Sequence, residues 1–494
     1  MFKRLRSKEF SKIKLKLIGL AILLLALPLT LMLVKTIQDQ RSSAAAPDKL
    51  ETEAGVLSSS GVTKQSDNGA SGGSYVLFNK ASVTNTPTPT PTSPPSQSTV
   101  GPRPDPAFPT GSNVVVVDSS VPTNGSDAQS ALQAFIDKQP NGTTIIFDKT
   151  KGGNGTTYTM YDGLQIRTRK DLTFWGYNSK LKLTRKDGST EGAGILIRNG
   201  SENIKILGFE IEGPNYTNDL YDLYDVLPGE WSHGIYIMIS RNVTIQDNHI
   251  HHVNGDAVYG LARGPSSTSW NDGSKGWAYQ GPFEISYNYF HHTGRQGIAN
   301  MSGIKLNIHH NLFEDIVAWP VDLEDHGEEA FVFEELYVTD NVMRRFNWWV
   351  RYNCHSTSIL YAPSKKFEWS RNLIDEGCMG IGNADVPISV YEKYGTENLY
   401  PRPGHRWIQI RTRHPILTHT NEIIIQNNRV TVGSNNMQGT RTDQGAIALE
   451  NSSDVLTITG NQFEPNARII LVGDTNIENI SNNGDARVQY EWYP

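Results

Sequence analysis

The stretch "VTIQDNHIHHV" (243–253) holds two short runs of alternating apolar and polar residues, separated by Asn248. The same arrangement returns in "FEISYNYFHHT" (283–293) and "LNIHHNLFEDI" (306–316). It returns again in "LYVTDNVMRRF" (336–346), "FEWSRNLIDEG" (367–377), "IIIQNNRVTVG" (423–433) and "LTITGNQFEPN" (456–466). Alternation predicts strands, and the Asn between the runs predicts a bend. Each repeat is therefore predicted to be a strand, a bend and a second strand.

A second motif precedes these repeats, with one apolar residue at its centre. It occurs as "AGILI" (193–197), "HGIYI" (233–237), "DAVYG" (256–260), "QGIAN" (296–300), "WPVDL" (319–323), "WWVRY" (348–352) and "MGIGN" (379–383). The predicted buried positions are Ile195, Ile235, Val258, Ile298, Val321, Val350 and Ile381. These strands are too short for a sandwich, and no helical period lies between them to form βαβ units.

The repeat length suits one coil of a parallel β-helix, an all-β solenoid whose coils stack about 4.8 Å apart. The repeated Asn is expected at the bend, in a left-handed conformation that Asn tolerates. Its side chains are then expected to hydrogen-bond from coil to coil along the axis.

The repeat resembles the right-handed parallel β-helix of the pectin-lyase-like superfamily, over roughly residues 115–485. The start, "NGSDAQSALQAFIDKQPNGTTIIFD" (124–148), resembles the capping helix and first strand of pectate lyases, polygalacturonases and phage tailspikes. The resemblance implies a helix over Asp127–Lys138 that covers the open end of the coil stack. The residues available for that contact are Ala131, Leu132, Ala134, Phe135 and Ile136.

The N-terminal region predicts a membrane anchor followed by a linker. Residues 1–16 are basic and are expected to be cytoplasmic; Leu17–Val34 is an uncharged apolar run, about long enough to span a hydrocarbon core. A signal peptide cleaved near "SSAAAP" (42–47) is the alternative. Residues 35–112 are rich in Ser and Gly, then in Pro and Thr, and predict a disordered linker. The globular domain is expected at 113–494, outside the cytoplasm.

Composition bears on two questions, nucleic-acid binding and disulfide bonding. The net charge is −6, with Lys and Arg scattered, so nothing indicates nucleic-acid binding. Cys354 and Cys378 are too few for a disulfide scaffold, although one bridge between them is compatible with an extracytoplasmic location.

Alternation also places polar side chains on one outer strip. The residues one after each core position, expected to face outward, are Tyr236, Tyr259, Ala299, Asp322 and Arg351. The residues three after it, also expected to face outward, are Met238, Leu261, Met301, Glu324 and Asn353. The residues two before it form a further column, which faces inward unless a bend intervenes: His233, Asp256, Gln296, Trp319 and Trp348. Arg295 stands beside this column.

The strip carries the residue types that acid–base chemistry needs. Asp322 and Glu324 are expected to lie about 7 Å apart on one strand, where each carboxylate raises the pKa of the other. The candidate catalytic residues are Asp322, Glu324, Asp256, His233 and Arg295. The candidate substrate-binding residues are Tyr236, Tyr259, Gln296 and Arg351, with Trp270 and Trp277 from the insertion at 261–282. The same acids also suit Ca²⁺, and a ladder of paired surface charges is the purely structural alternative.

Paired residues after the repeated Asn form a second column. They are His251–His252, His291–His292, Glu314–Asp315, Arg344–Arg345 and Asp375–Glu376. Stacked imidazoles and a ladder of alternating charge account for them structurally. Zinc bound through His251 and His291 is an alternative for which the sequence indicates no third ligand.

The sequence therefore predicts a membrane-anchored, extracytoplasmic β-helix protein that acts on a polysaccharide. Glycoside hydrolysis would use two carboxylates. A lyase or a uronate C5-epimerase would use His233 or a tyrosine with an arginine, with or without Ca²⁺. A non-catalytic glycan-binding surface protein, or adhesin, is the remaining alternative. The polygalacturonase motifs Gly-Asp-Asp and Gly-His-Gly have counterparts only in "GDA" (255–257) and "SHG" (232–234), in reversed order. The Asp-Pro-His motif of alginate epimerases is only half matched, by "EDHGE" (324–328).

Overall fold

A computed structural model describes most of the chain beyond Val100. The described residues are 62–66, 74–78, 99–185, 193–215, 220, 232–261, 280–299, 301, 303–323, 333–348, 355–359, 364–375, 377, 406–411, 419–431, 445–450, 452–463, 467–472, 475–484 and 486–490. Within these ranges no helix is both long enough and apolar enough to cross a membrane. The predicted span 17–34 lies outside them, as do Cys354 and Cys378.

The chain divides into two units, 1–88 and 89–494. In the first unit, strands β1 (Val62–Ser66) and β2 (Ser74–Phe78) pair antiparallel. In the second, the strand pairs are parallel, and the strands form three sheets that the chain visits in turn.

The first sheet has 11 strands. They are β6 (Leu164–Arg167), β8 (Ala193–Arg198), β10 (His233–Met238), β13 (Val258–Leu261), β16 (Ile298–Ala299), β19 (Val321–Leu323), β22 (His355–Ile359), β25 (Arg406–Arg411), β28 (Gly445–Glu450), β30 (Arg468–Val472) and β32 (Arg487–Tyr490).

The second and third sheets lie on either side of the Asn bend, and two long strands, β7 (Lys170–Leu183) and β9 (Glu202–Glu212), run through both. The second sheet also holds β3 (Val114–Val116), β4 (Thr144–Ile146), β11 (Arg241–Gln246), β14 (Phe283–Ser286), β17 (Gly303–His309), β20 (Phe333–Thr339), β23 (Lys366–Ser370), β26 (His419–Gln426), β29 (Ser452–Thr459) and β31 (Thr475–Ser481). The third also holds β5 (Thr156–Met160), β12 (His249–His251), β15 (Tyr289–Thr293), β18 (Leu312–Ile316), β21 (Val342–Phe346), β24 (Leu373–Asp375) and β27 (Arg429–Thr431).

The predicted core positions of the first sheet are confirmed as far as Val321. Ile235 pairs with Val258, Val258 with Ile298 and Ile298 with Val321, and all of them are fully buried. Beyond Val321 the register continues through Thr357, which pairs with Val321 and with Ile408. The remaining predicted core positions, Val350 and Ile381, lie outside the described residues.

The repeated Asn residues form a continuous buried column, as predicted. The backbone N–H of Asn288 donates to Oδ1 of Asn311 at 2.9 Å, and its side-chain Nδ2 donates to the same oxygen at 3.0 Å. This pattern runs through Asn248, Asn288, Asn311, Asn341, Asn372, Asn428 and Asn461 to Asn483. The predicted dihedral is wrong: the residue before the Asn is left-handed, as in Tyr287 with φ 57°. Asn is required here because its side-chain amide donates a hydrogen bond to the following coil and accepts one from the preceding coil. The backbone freedom of Asn is not the reason.

A helix, α1 (Gln129–Lys138), covers the first coil, slightly shorter than predicted. Leu132 and Ile136 are buried in the core, and Ala131 and Phe135 pack against it. Ala134, expected among the covering residues, lies on the exposed side of the helix.

The segment before the first coil docks against the Asn bends, although it falls inside the predicted linker. The N–H of Gly101 donates to the carbonyl of His310 at 2.9 Å. Arg103 contacts Asp247 through Nε at 2.9 Å and Nη2 at 2.8 Å, and its guanidinium lies 4.2 Å from the ring centre of Tyr287.

Candidate functional site

The column expected two residues before each core position is present at the entrance to the first sheet. The N–H of Gly234 donates to the Asp256 carbonyl at 3.0 Å, and the N–H of Ala257 donates to the Gln296 carbonyl at 3.1 Å. The N–H of Gly297 donates to the Trp319 carbonyl at 3.0 Å. Successive coils therefore carry, in one column, His233, Asp256, Gln296 and Trp319.

A bend turns this column away from the apolar interior. A Cβ at Gly234 would lie 2.6 Å from the Ala257 carbonyl oxygen, and one at Gly297 would lie 2.6 Å from the Pro320 carbonyl oxygen. Glycine is thus required where neighbouring coils come this close. The ring of His233 stacks on Tyr259, with centroids 4.3 Å apart, and Tyr259 belongs to a cluster separate from the main core.

The outward column of the first sheet is in the predicted register up to Asp322. Tyr236 pairs with Tyr259, Tyr259 with Ala299 and Ala299 with Asp322. Asp322 pairs in turn with Ser358. Arg351, the predicted next member of the column, lies outside the described residues. Met301 is also not outward-facing, since it lies in the main core.

Asp256 is the centre of a buried polar network. Its Oδ2 lies 3.2 Å from Nδ1 of His233 and 3.9 Å from Nη1 of Arg295. The Asp256 backbone N–H also faces Nδ1 of His233, at 3.1 Å. One ring nitrogen cannot accept from the N–H and donate to the carboxylate at the same time, so only one of these two contacts is a hydrogen bond at any moment.

Gln296 links the two buried carboxylates. Its backbone N–H donates to Oδ1 of Asp256 at 2.9 Å, and its side-chain Nε2 donates to Oδ2 of Asp322 at 2.9 Å. His233, Asp256 and Asp322 are each 0% exposed, and Arg295 is 7% exposed. Five predicted site residues therefore form one hydrogen-bonded and ion-paired group.

The surroundings of Asp256 favour its ionised form. Burial alone would raise the pKa of this carboxyl. The charge of Arg295, the hydrogen bond with His233 and the Gln296 N–H outweigh burial, so the pKa lies below its ordinary value. Asp256 is thus suited to act as a base or an electrostatic partner rather than as a proton donor.

Several predicted site residues lie outside the described residues: Glu324, Arg351, Trp270 and Trp277. The expected separation of Asp322 and Glu324, and a Ca²⁺ site between them, therefore stay predictions. Asp322 itself is tied to Gln296 rather than exposed on the strip.

A second group of polar side chains lies on the third sheet. His251 and His291 stack with centroids 4.9 Å apart and planes within 1°, and His252 and His292 stack at 5.0 Å. Farther along, Arg345 pairs with Asp315 at 2.9 Å, so the predicted imidazole stack and charge ladder are confirmed. Burial and the neighbouring His251 lower the pKa of His249 to about 4, which leaves its ring neutral at pH 7.

Glu210 was missed by sequence reasoning, although it completes this group. Glu210, His249 and His251 each offer a potential metal ligand atom, and these atoms lie within 4.8 Å of one another. The available signal was the alternation in "FEIE" (209–212), which places Glu210 opposite His249.

Comparison with known proteins agrees with this architecture. Residues 153–342 match the family described as "Right handed beta helix region". No curated protein matches the chain. Among solved structures, a family 28 exopolygalacturonase from Yersinia enterocolitica is 13% identical, with a TM-score of 0.39 over 77% of this chain and 79% of that one. The surface adhesin PfbA of Streptococcus pneumoniae is 12% identical, with a TM-score of 0.43 over 77% and 91%. The tailspike of E. coli bacteriophage HK620, solved with a pentasaccharide, is 12% identical, with a TM-score of 0.39 over 76% and 67%. The family match and the parallel strand pairing together show a right-handed parallel β-helix over residues 153–342.

Proposed function

We propose that the β-helix binds a polysaccharide on the outer side of the first sheet and hydrolyses its glycosidic bonds. The observation that carries this proposal is the pair of buried carboxylates, Asp256 and Asp322, joined through Gln296 and flanked by His233 and Arg295. Neighbours in the structural comparison that are described as a polygalacturonase and as a tailspike with a pentasaccharide support a carbohydrate ligand.

The two carboxylates take different roles. Asp256 is held ionised and acts as the base that activates water. Asp322 is the proton donor to the leaving oxygen. The residues lie two coils apart, roughly 10 Å along the axis, and three register positions apart along the strand direction. That spacing is closer to the wide arrangement of inverting glycosidases than to the close pair of retaining ones.

Hydrolysis fits the site better than β-elimination. A lyase or epimerase needs a cation to neutralise the uronate carboxylate of the substrate. The guanidinium of Arg295 already faces the Asp256 carboxylate at 3.9 Å, so its charge is largely compensated within the protein. The substrate-binding roles of Tyr236, Tyr259, Trp270 and Trp277 belong to the same proposal, as rings that stack against sugar C–H groups. Tyr236 and Tyr259 are 6% and 1% exposed, so they take this role only once uncovered.

The proposal includes an opening step. Asp256 and Asp322 have no exposed surface, so a substrate reaches them only after the residues that cover them move. The same burial favours a second candidate function, a glycan-binding surface protein in which the network only ties coils together.

The location is also proposed. The apolar run Leu17–Val34 and its basic flank support an N-terminal membrane anchor, with the β-helix outside the cytoplasm.

The test uses the full chain with a panel of neutral and uronate polysaccharides, with and without Ca²⁺. Reducing ends and the absorbance of unsaturated uronate are followed together, and NMR gives the anomeric configuration of the first product. Hydrolysis predicts reducing ends without absorbance and an inverted product. Asp256→Asn and Asp322→Asn should each lower the rate by about 10³-fold.

Asp340→Asn is the matched control, because Asp340 is ion-paired with Arg371 on a different side of the coil and should leave the rate unchanged. Absorbance together with reducing ends would instead establish a lyase. Binding without any product, or epimerised uronate alone, would reject hydrolysis.

A further inference from the structure

We propose that the outer side of the third sheet binds one divalent transition metal ion of the zinc type. Its ligands are one carboxylate and three imidazoles: Glu210, His249, His251 and His291. This site lies on a different sheet from the carboxylate pair and does not depend on the proposed hydrolysis.

The strand register brings these four groups together. Glu210 of β9 pairs with His249 of β12, and His251 pairs with His291 of β15 on the next coil. Between His249 and His251, Ile250 is fully buried in the core. Because side chains alternate along a strand, both histidines therefore face outward.

The ligand atoms of Glu210, His249 and His251 lie within 4.8 Å of one another, and His291 joins them through His249. Nε2 of His251 lies 3.2 Å from Oε1 of Glu210. Nε2 of His249 lies 2.7 Å from Nε2 of His291. Metal bonds of roughly 2.0–2.1 Å in a tetrahedron place ligand atoms about 3.3 Å apart. On metal binding the ligand atoms would draw closer by side-chain rotation, and the Glu210 side chain is 34% exposed, which leaves a path for the ion.

The neighbouring histidines supply outer partners for the ligands. Nδ1 of His251 lies 2.6 Å from Nδ1 of His252, and Nδ1 of His291 lies 2.8 Å from Nδ1 of His292. A hydrogen bond at one ring nitrogen fixes the tautomer and aims the other nitrogen at a metal. The two His-His pairs in the sequence thereby gain a common role: the first member binds and the second orients.

Lys180 is the cation that opposes binding. Its Nζ lies 2.6 Å from Oε1 of Glu210 and 2.8 Å from Oε2 of Glu212. On metal binding, Glu210 would exchange this contact for the ion, while Glu212 retains the lysine. Lys180→Met should therefore raise the affinity for the ion.

The test is titration of the full, metal-stripped chain with Zn²⁺ by calorimetry, with Co²⁺ as a spectroscopic probe. We expect one equivalent of Zn²⁺ and the intense visible bands of four-coordinate Co²⁺. Glu210→Gln and His251→Ala should each lower the affinity at least tenfold. His309→Ala is the matched control, because His309 also has a His neighbour, at 2.9 Å, and a glutamate partner, Glu284.

The proposal is overturned if no saturable binding occurs, if Co²⁺ shows only the weak bands of six-coordination, or if His309→Ala loses as much affinity as His251→Ala. Should His251→Ala fail to fold, the Co²⁺ spectrum of the unchanged chain still decides the coordination.

Discussion

The side-chain amide of Gln296 donates a hydrogen bond to Asp322 at 2.9 Å, with both residues buried. Gln296→Glu would replace this donor with an oxygen and place two carboxyl groups in contact. One of the two pKa values should then rise, because like charges at this distance cannot both ionise. We expect a loss of about 2 kcal/mol of stability at pH 7, recovered as the pH falls and a proton is bound.

Gln296→Leu is the control for this effect, since it removes the donor without adding a charge. Chemical denaturation at pH 7 and pH 5 should show that only Gln296→Glu regains stability at the lower pH. Equal behaviour of the two variants would show that the carboxyl introduced at position 296 and Asp322 take up no proton between pH 7 and pH 5.

Asp256 should make stability depend on acid pH. Its pKa in the folded state is below the ordinary value of 3.8, so the folded state binds the proton less readily than the unfolded chain. This contribution is complete above the unfolded pKa and is lost as the pH falls through the folded pKa. At pH 7, Asp256→Asn should cost about 3 kcal/mol, because it leaves Arg295 and His233 facing a neutral amide.

The difference in the free energy of unfolding between wild type and Asp256→Asn should therefore become smaller below pH 4. Urea midpoints at pH 7, 4.5 and 3 measure it. A difference that stays constant over this range would show that the Asp256 carboxyl is not stabilised in its charged form.

Replacing an Asn of the column should markedly lower the free energy of unfolding. Nδ2 of Asn341 donates to the carbonyls of Ile308 at 2.9 Å and Thr339 at 3.0 Å, and to Oδ1 of Asn372. Asn341→Ala leaves these buried acceptors unsatisfied and should cost about 3 kcal/mol. Asn307→Ala, which removes one half-exposed bond to Glu284 at 3.1 Å, should cost less than about 1 kcal/mol by thermal or urea denaturation. Similar losses for the two variants would contradict a special role for the column.

Arg103 should hold the segment before the first coil in place. Arg103→Ala removes the forked contact to Asp247 and the stacking on Tyr287. Amide hydrogens in residues 99–108 should then exchange at least tenfold faster, while those of the core strands stay protected. Arg371→Ala breaks an equivalent fork, to Asp340, and should leave 99–108 unchanged. No change in Arg103→Ala would show that the backbone contact of Gly101 suffices.

The parts of the fold with a regular pattern could be predicted from the sequence. Each predicted coil contains both sequence motifs, and each has one core position in the first sheet. The structure stacks these positions in the predicted order: Ile235, Val258, Ile298 and Val321. After Val321 the pattern fails, since the next strand, "HSTSI" (355–359), places Thr357 at the core position. A buried threonine is satisfied here by donating to the Val321 carbonyl at 3.1 Å, a contact that no hydrophobic pattern reveals.

The candidate site was only partly predictable for a related reason. Alternation grouped His233, Asp256 and Gln296 correctly, but it assigned Asp322 to an exposed strip, whereas the residue is buried. Which surfaces are covered depends on contacts between distant segments, and periodicity does not report them. Glu210 was overlooked because it lies in β9, before the first of the seven aligned repeats.

The Asn column described above also has an electrical consequence. Every side-chain amide in it points the same way, with Nδ2 directed at the Oδ1 of the following coil. The amide dipoles therefore add head to tail, as peptide dipoles do in an α-helix, and the first oxygen, Oδ1 of Asn248, meets the N–H of Phe209 at 2.9 Å. Because aligned bonds polarise one another, each amide is strengthened by those above and below it. The column thus behaves as a collective axial dipole, and two adjacent interruptions should cost less than the sum of the two made singly.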